Sequence, residues 1–219
     1  MRTSRLSEFQ RDLASLSHDI RTPLMGAKGY LRLAQDEGDE AGRARRLAAA
    51  EARLDDMGAL LDQLFAYAQA NDPDLALDLV PVAVLPALAD VLVGQFPAFE
   101  RRGWEPRVDF EDEALSADAD AEALARIFEN LVANALRHGA AAPVIEQRGG
   151  CVTFANLVAD PAAIDIDRLF ERFYQGGGAR SSAGAGLGLA IVSQLAAALG
   201  ATVAASLEGG VLRVTVELQ

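Results

Sequence analysis

The stretch NLVANALRHG, residues 130–139, decides how this chain is read. Wound as a helix, it sets Asn130, Asn134, Arg137 and His138 along one face at four- and three-residue steps. Amide oxygens of asparagine are hard ligands suited to Mg²⁺, and a guanidinium suits a triphosphate. On these grounds alone the face is equally well the polar edge of an ordinary helix. The choice depends on what surrounds it.

Working outward, helical patterns cover Val84–Arg102, Ala119–Arg137 and Leu187–Leu199. Alternating or β-rich runs lie between them at Leu75–Val82, Arg107–Phe110, Cys151–Ala155, Thr202–Ser206 and Val211–Leu218. Glu208-Gly209-Gly210, between the last two runs, is a hairpin signal. This part therefore reads as α+β, with helices on one face of a mixed sheet. The sequence NDPD at 71–74 reads as a linker and divides the chain into 1–72 and 73–219. Before it the texture is different. Apolar residues recur at Leu6, Phe9, Leu13, Leu16, Ile20, Leu24, Ala27 and Leu31, and again at Leu47, Ala50, Leu54, Met57, Leu61, Leu64 and Ala68. Steps of three and four residues predict two long amphipathic helices, separated by the polar break DEGDEAG at 36–42. A lone hairpin would leave half of each stripe wet, whereas two hairpins close it as a four-helix bundle. A homodimer is the expectation.

Within the first helix lies SHDIRTPL, residues 17–24. His18 falls on the face opposite Leu13 and Leu16, and Thr22 is one turn further along that face. Pro23 removes a helical hydrogen bond and is expected to bend the helix just after His18. A neutral imidazole is a competent nitrogen nucleophile near neutrality, and the adjacent Asp19 can take a proton from its other ring nitrogen. Taken alone, an exposed helical histidine is ordinary surface.

Two further segments follow the asparagine helix. RLFERFY at 168–174 is aromatic and, read by itself, suits a core. The glycine- and serine-rich run after it leads into GAGLGLAIVSQL at 184–195, with Gly184, Gly186 and Gly188 opening a helix. Backbone N–H groups at such a place approach phosphates closely, and the helix dipole favours negative charge. The pattern is not a Walker A loop, because no Lys-Ser/Thr pair follows. Nor is it a dinucleotide fingerprint, because Leu189 stands where a glycine is wanted.

Taken together, these segments resemble the sensor histidine kinases of two-component systems. SHDIRTPL resembles the phosphoacceptor box of their HisKA-type domain. NLVANALRHG, RLFERFY and GAGLGLAIVSQL resemble the successive boxes of the GHKL-type ATP-binding domain. Asp120 and Leu124 also fall where that family places them. The resemblance implies an all-α dimeric four-helix-bundle hairpin followed by an α+β two-layer sandwich of the Bergerat (GHKL) type. It implies autophosphorylation of His18 from ATP, with Asp19 assisting as base, and transfer to an aspartate of a response-regulator receiver domain. Thr22 would position water for dephosphorylation of that partner, and the surface around Met25, Lys28 and Gly29 would dock it. Asn134 would hold Mg²⁺, and Asn130, Arg137, His138, Asn156, Arg180, Gly184, Gly186, Leu187 and Gly188 would line the nucleotide site.

One box departs from the family. An Asp-x-Gly-x-Gly motif normally precedes the aromatic segment, its aspartate accepting a hydrogen bond from the adenine amino group. Fourteen residues before Phe170 stands Asn156, followed by Leu157, Val158, Ala159 and Asp160. The carboxylate is replaced by an amide and both glycines are gone. Losing a charge-assisted bond costs on the order of 1 kcal/mol, so ATP binding is expected to persist in weakened form.

Composition narrows the alternatives. The formal charge of −12 argues against a nucleic-acid partner. The single cysteine, Cys151, fits a reducing compartment and a strand interior. No apolar run approaches the length of a membrane span, about 18 residues, and the first ten residues lack a signal peptide's apolar stretch. A cytoplasmic location is expected, with membrane attachment only through a sensor region outside this chain. Two rival readings are a non-catalytic phosphotransfer protein or pseudokinase with an idle second domain, and a bare dimerisation module. ATP labelling tests the first, and stable phosphate on His18 would discard the second.

Overall fold

The computed structural model describes residues 20–70, 76–176 and 186–219. His18, Asp19, the 71–74 linker, Arg180 and Gly184 lie outside them. Residues 20–35 form helix α1, which runs unbroken through Pro23, itself buried. Helix α2 spans Glu40–Ala70 and begins inside the expected polar break. The reason is a cap: the Asp39 carboxylate accepts the Gly42 N–H at 2.9 Å, satisfying one of the orphan donors of the first turn. Ala27, Ala34, Ala50 and Leu60 are buried in the hairpin. Leu24, Leu31, Leu47 and Leu54 of the same stripes stay 40–46% exposed.

The second region begins with strand β1 (Val80–Ala83), followed by α3 (Val84–Gly94) and α4 (Phe96–Arg102). One helix over Val84–Arg102 was expected. It breaks at Gln95 (φ −94°, ψ 2°), just before Pro97, which lacks an N–H and disfavours helical backbone ahead of it. Strand β2 is Arg107–Phe110 and β3 is Ser116–Ala119; β3 pairs antiparallel with β1 as a separate two-stranded ribbon. Of the expected strand over Leu75–Val82, Leu75 lies outside the described residues, residues 76–79 are not strand, and pairing is confined to the four residues of β1 that face β3. Helix α5 covers Ala121–His138, and strands β4 (Val144–Arg148) and β5 (Cys151–Leu157) follow. Both β3 and β4 escaped the sequence reading, being short and only weakly alternating.

After two short 3-10 turns, at Pro161–Ala163 and Ile166–Arg168, helix α6 spans Gly188–Ala198 and leads to β6 (Thr202–Glu208) and β7 (Val211–Glu217). The main sheet has the order β2-β4-β5-β7-β6, parallel only between β2 and β4. Gly209 and Gly210 close the β6–β7 hairpin with φ of 58° and 78°, the left-handed pair that a two-residue turn requires.

Along β5 the inward residues Val152, Phe154 and Asn156 alternate with half-buried ones. Phe154 meets Phe128 of α5 with ring centroids 5.9 Å apart, and Leu124, Ile127, Leu131 and Ile191 complete this layer. Helices α5 and α6 thus cover one face of the sheet, with α3 packed against α5. Asp120 caps α5 by accepting the Ala123 N–H at 2.9 Å. It also receives the Asp78 N–H at 3.1 Å, so one carboxylate ties the segment before β1 to the asparagine helix.

Candidate functional site

Helix α5 delivers Asn130, Asn134, Arg137 and His138 to one wall of a cavity, as its periodicity predicts. The opposite lip is made by Val158, Ala159 and Asp160, which follow β5, and by Ile164 and Leu169 from the turns beyond. Tyr174, Gln175 and Gly176 close one end, Gly186 and Gly188 stand at the start of α6, and Leu212 of β7 forms the floor.

The details suit an anionic ligand. The Asn130 side-chain amide donates to the Arg126 carbonyl at 2.7 Å, which leaves its oxygen turned away from its own helix. That oxygen lies so near Gly188 that a Cβ there would sit 3.1 Å from it. At Gly186, φ is 66° and a Cβ would lie 2.5 Å from the Tyr174 carbonyl oxygen, so only glycine fits. The backbone at the start of α6 is therefore bare beside the asparagines, the condition under which N–H groups reach phosphate oxygens.

Arg137 and His138 are exposed at the rim, yet the surrounding protein withdraws enough water to lower both pKa values. For Arg137 burial is partly opposed by the charge of Asp56; for His138 the Arg137 charge adds to burial. An anion would favour the charged form of both side chains.

Of the residues expected to line a nucleotide site, Asn130, Asn134, Arg137, His138, Gly186 and Gly188 are brought together. Leu187 turns its side chain fully into the core, leaving only its backbone for a ligand. Asn156, near the end of β5, is 3% exposed and is not among the residues that line the cavity, although Leu212, directly across the ladder, and Val158, just past the strand, are. Sequence reasoning missed Leu212, Ile164, Leu169 and Gln63. Gln63 comes from α2, lines the same cavity, and buries an amide oxygen without a partner. No local signal marks these four; they arrive by long-range packing. Around Gln63, the Gln69 amide oxygen accepts from Arg126 at 2.8 Å and the Arg172 guanidinium lies over the Tyr67 ring, so the end of α2 rests on the second region.

Comparison with known proteins agrees with this geometry. Residues 10–73 match the model described as "His Kinase A (phospho-acceptor) domain", and residues 119–219 match "Histidine kinase-, DNA gyrase B-, and HSP90-like ATPase". The chain belongs to the two-component sensor histidine kinases. Among curated relatives of this family, the histidine-protein kinase BaeS of Escherichia coli is 31% identical over 96% of this chain. The sensor histidine kinase YcbM of Bacillus subtilis is 27% identical over 88%. The chain spans 47% of BaeS and 65% of YcbM. In the solved structure of full-length histidine kinase ShkA with AMPPNP, the matching part gives a TM-score of 0.65 at 29% identity, covering 95% of this chain and 45% of that one. An α-helical hairpin followed by the GHKL sheet domain is thus the shared architecture of the histidine kinase core, and this chain has an ATP-binding domain of that type. Among the described residues no helix is long and apolar enough to cross a membrane.

Proposed function

We propose that this chain is the catalytic core of a sensor histidine kinase. His18 takes the γ-phosphoryl group of ATP and passes it to an aspartate of a response regulator. The observation that carries the reading is the cavity in which the α5 asparagines face the bare glycine backbone of α6, within a chain that also carries the SHDIRTPL helix.

The donor set fits a magnesium nucleotide. Among the described residues no three His, Cys, Asp or Glu side chains cluster as a metal cage. Asn134, an amide oxygen ligand on the cavity wall, would hold Mg²⁺ together with phosphate oxygens and water, the arrangement this ion favours. Mg²⁺ would neutralise developing charge on the transferred group. Arg137 and the α6 backbone would orient the phosphates, and Arg180 and Gly184 would complete their enclosure. At the acceptor, Asp19 would take the ring proton as the His18 nitrogen attacks in line. Most of the rate would come from positioning.

The functional units in this proposal are 1–72 and 73–219. The exposed leucines of α1 and α2 would be covered by a second copy of the hairpin, making a homodimer. Thr22 would serve dephosphorylation of the partner regulator, which docks near Met25, Lys28 and Gly29. We place the core in the cytoplasm, with any membrane attachment through a sensor region.

Labelling with γ-labelled ATP tests the reading. Wild type should acquire acid-labile label, and His18→Gln should lose it while still binding nucleotide. Label persisting in His18→Gln would overturn the acceptor assignment. The altered box at Asn156–Asp160 favours a second reading, a pseudokinase. Failure to bind an ATP analogue at millimolar concentration would decide for it.

A further inference from the structure

Helix α2 carries a second row of residues beside the leucine stripe. Asp56, Leu60, Gln63, Tyr67 and Ala70 recur at steps of three and four and so share one face. This face meets the second region. Leu60 and Ala70 are buried in its core cluster, and Tyr67 packs partly against it. Helix α2 lies against α6, and its polar side chains reach toward α5: Gln69 accepts from Arg126, and the charge of Asp56 acts on Arg137. Gln63 stands between those two ends of the row, as Asn130 and Asn134 stand between Arg126 and Arg137 on α5.

An amide is out of place in such a row. The Gln63 side-chain oxygen is shut off from water and has no hydrogen-bond partner among the described residues. A buried acceptor left unmet is costly, and an apolar side chain of the same shape would avoid the cost. Gln63 nevertheless lines the cavity that holds Asn130, Asn134 and the glycine start of α6. The Asn130 amide nitrogen is already spent on the Arg126 carbonyl, so it has no proton for Gln63. What the Gln63 oxygen lacks is a donor, and a ligand in the cavity can bring one. Phosphate oxygens cannot, but ribose hydroxyls, an amino group on the base and water on a bound Mg²⁺ can.

We propose that Gln63, carried into the cavity by α2, is a nucleotide-binding residue whose amide meets a hydrogen-bond donor of the bound magnesium nucleotide. The hairpin thereby supplies part of the site, and nucleotide and docked hairpin hold each other in place. The coupling is reciprocal: whatever the docked hairpin adds to nucleotide affinity, the nucleotide returns to docking. This deepens the reading above and rests on it.

The test compares wild type with Gln63→Met, which fills similar space without the amide. AMPPNP affinity is measured by displacement of a fluorescent nucleotide, and amide hydrogen exchange is followed over residues 60–70. The variant should bind AMPPNP with Mg²⁺ about fivefold to tenfold more weakly, the worth of one hydrogen bond. Its melting temperature without nucleotide should hold or rise, because an unmet acceptor has been removed. AMPPNP should slow exchange in 60–70 of wild type and do so much less in the variant. Repeating the titration in EDTA locates the donor, and either result upholds the proposal. A deficit that vanishes assigns the donor to metal-bound water, and one that persists assigns it to the nucleotide. Affinity within about twofold of wild type in Gln63→Met overturns the inference, since a lost hydrogen bond costs more. So does unaltered exchange in wild-type 60–70 on adding AMPPNP. A lowered melting temperature with nucleotide protection of 60–70 intact also overturns it, showing that Gln63 only packs. In each of these cases wild type still binds AMPPNP, and the proposed function stands. Absence of AMPPNP binding to wild type overturns the proposed function and this inference together.

Discussion

Phe173 donates its backbone N–H to the carbonyl of Gly186 at 3.0 Å, and both residues hold left-handed backbone, with φ of 60° and 66°. This bond joins the end of the aromatic segment to the residue just before α6. It brings Tyr174 and the α6 backbone to one end of the cavity. Phe173 is the one non-glycine residue with positive φ among those described, a conformation that costs roughly 1 kcal/mol or more and needs such support.

Gly186→Ala should break that junction. The added methyl carbon would lie 2.5 Å from the Tyr174 carbonyl oxygen and 2.9 Å from the Phe173 carbonyl carbon, both backbone atoms that cannot swing aside. We expect AMPPNP affinity to fall about tenfold or more and the melting temperature to drop by a few degrees. Titration and a thermal melt on the same sample check it; unchanged affinity would disprove the junction's role.

Asn134→Ala should remove the magnesium-dependent part of nucleotide binding. Loss of a metal-linked contact typically costs about 10–100-fold. Wild type should bind AMPPNP more weakly in EDTA, while the variant should respond little to chelation. An undiminished EDTA effect in Asn134→Ala would place the metal elsewhere.

Asp120→Ala should cost about 1–2 kcal/mol, the usual loss for a helix cap, because the Ala123 and Asp78 N–H groups both lose their acceptor. The same bonds, Ala123 first, hold the Asp120 pKa below its ordinary 3.8. A depressed carboxylate stabilises the fold above its unfolded pKa, and that stability is lost as pH falls through the lower folded value. Urea midpoints should therefore drop below about pH 4 in wild type, and the decline should be shallower in Asp120→Ala. A variant as acid-sensitive as wild type would count against this carboxylate as the source.

His138 gives a second, smaller pH effect in a different window. Burial and the Arg137 charge depress its pKa below 6.5, so the folded chain prefers the neutral ring. Stability is complete above the unfolded value and declines as pH falls from there toward the folded one. Because the ring is exposed at the rim, the decline should be slight. Urea midpoints of the nucleotide-free chain should sag just below pH 6.5, and His138→Gln should flatten the curve; equal slopes in both proteins would refute the assignment.

Local order was open to reading wherever one residue type enforces it. The α5 face and the Gly209-Gly210 turn follow from helical spacing and positive φ, whereas the Asp120 cap came to light only in the structure. Where the signal was only apolar, the boundaries moved. Val84–Arg102 split at Gln95, ahead of Pro97, and β3 and β4 passed unnoticed because four or five residues with mixed polarity carry little periodicity.

The two helical stripes, the asparagine face and the glycine start of α6 were set by the chain's own order of residues, since each depends on the spacing of near neighbours. Folding in three dimensions added what that order leaves open. It stands Leu212 across from Asn156, brings Gln63 of the hairpin into the cavity, and leaves the Asn156 amide nitrogen without an acceptor. Strand order and burial are settled by contacts between residues far apart in the chain, and whether a polar group finds a partner depends on everything that closes around it.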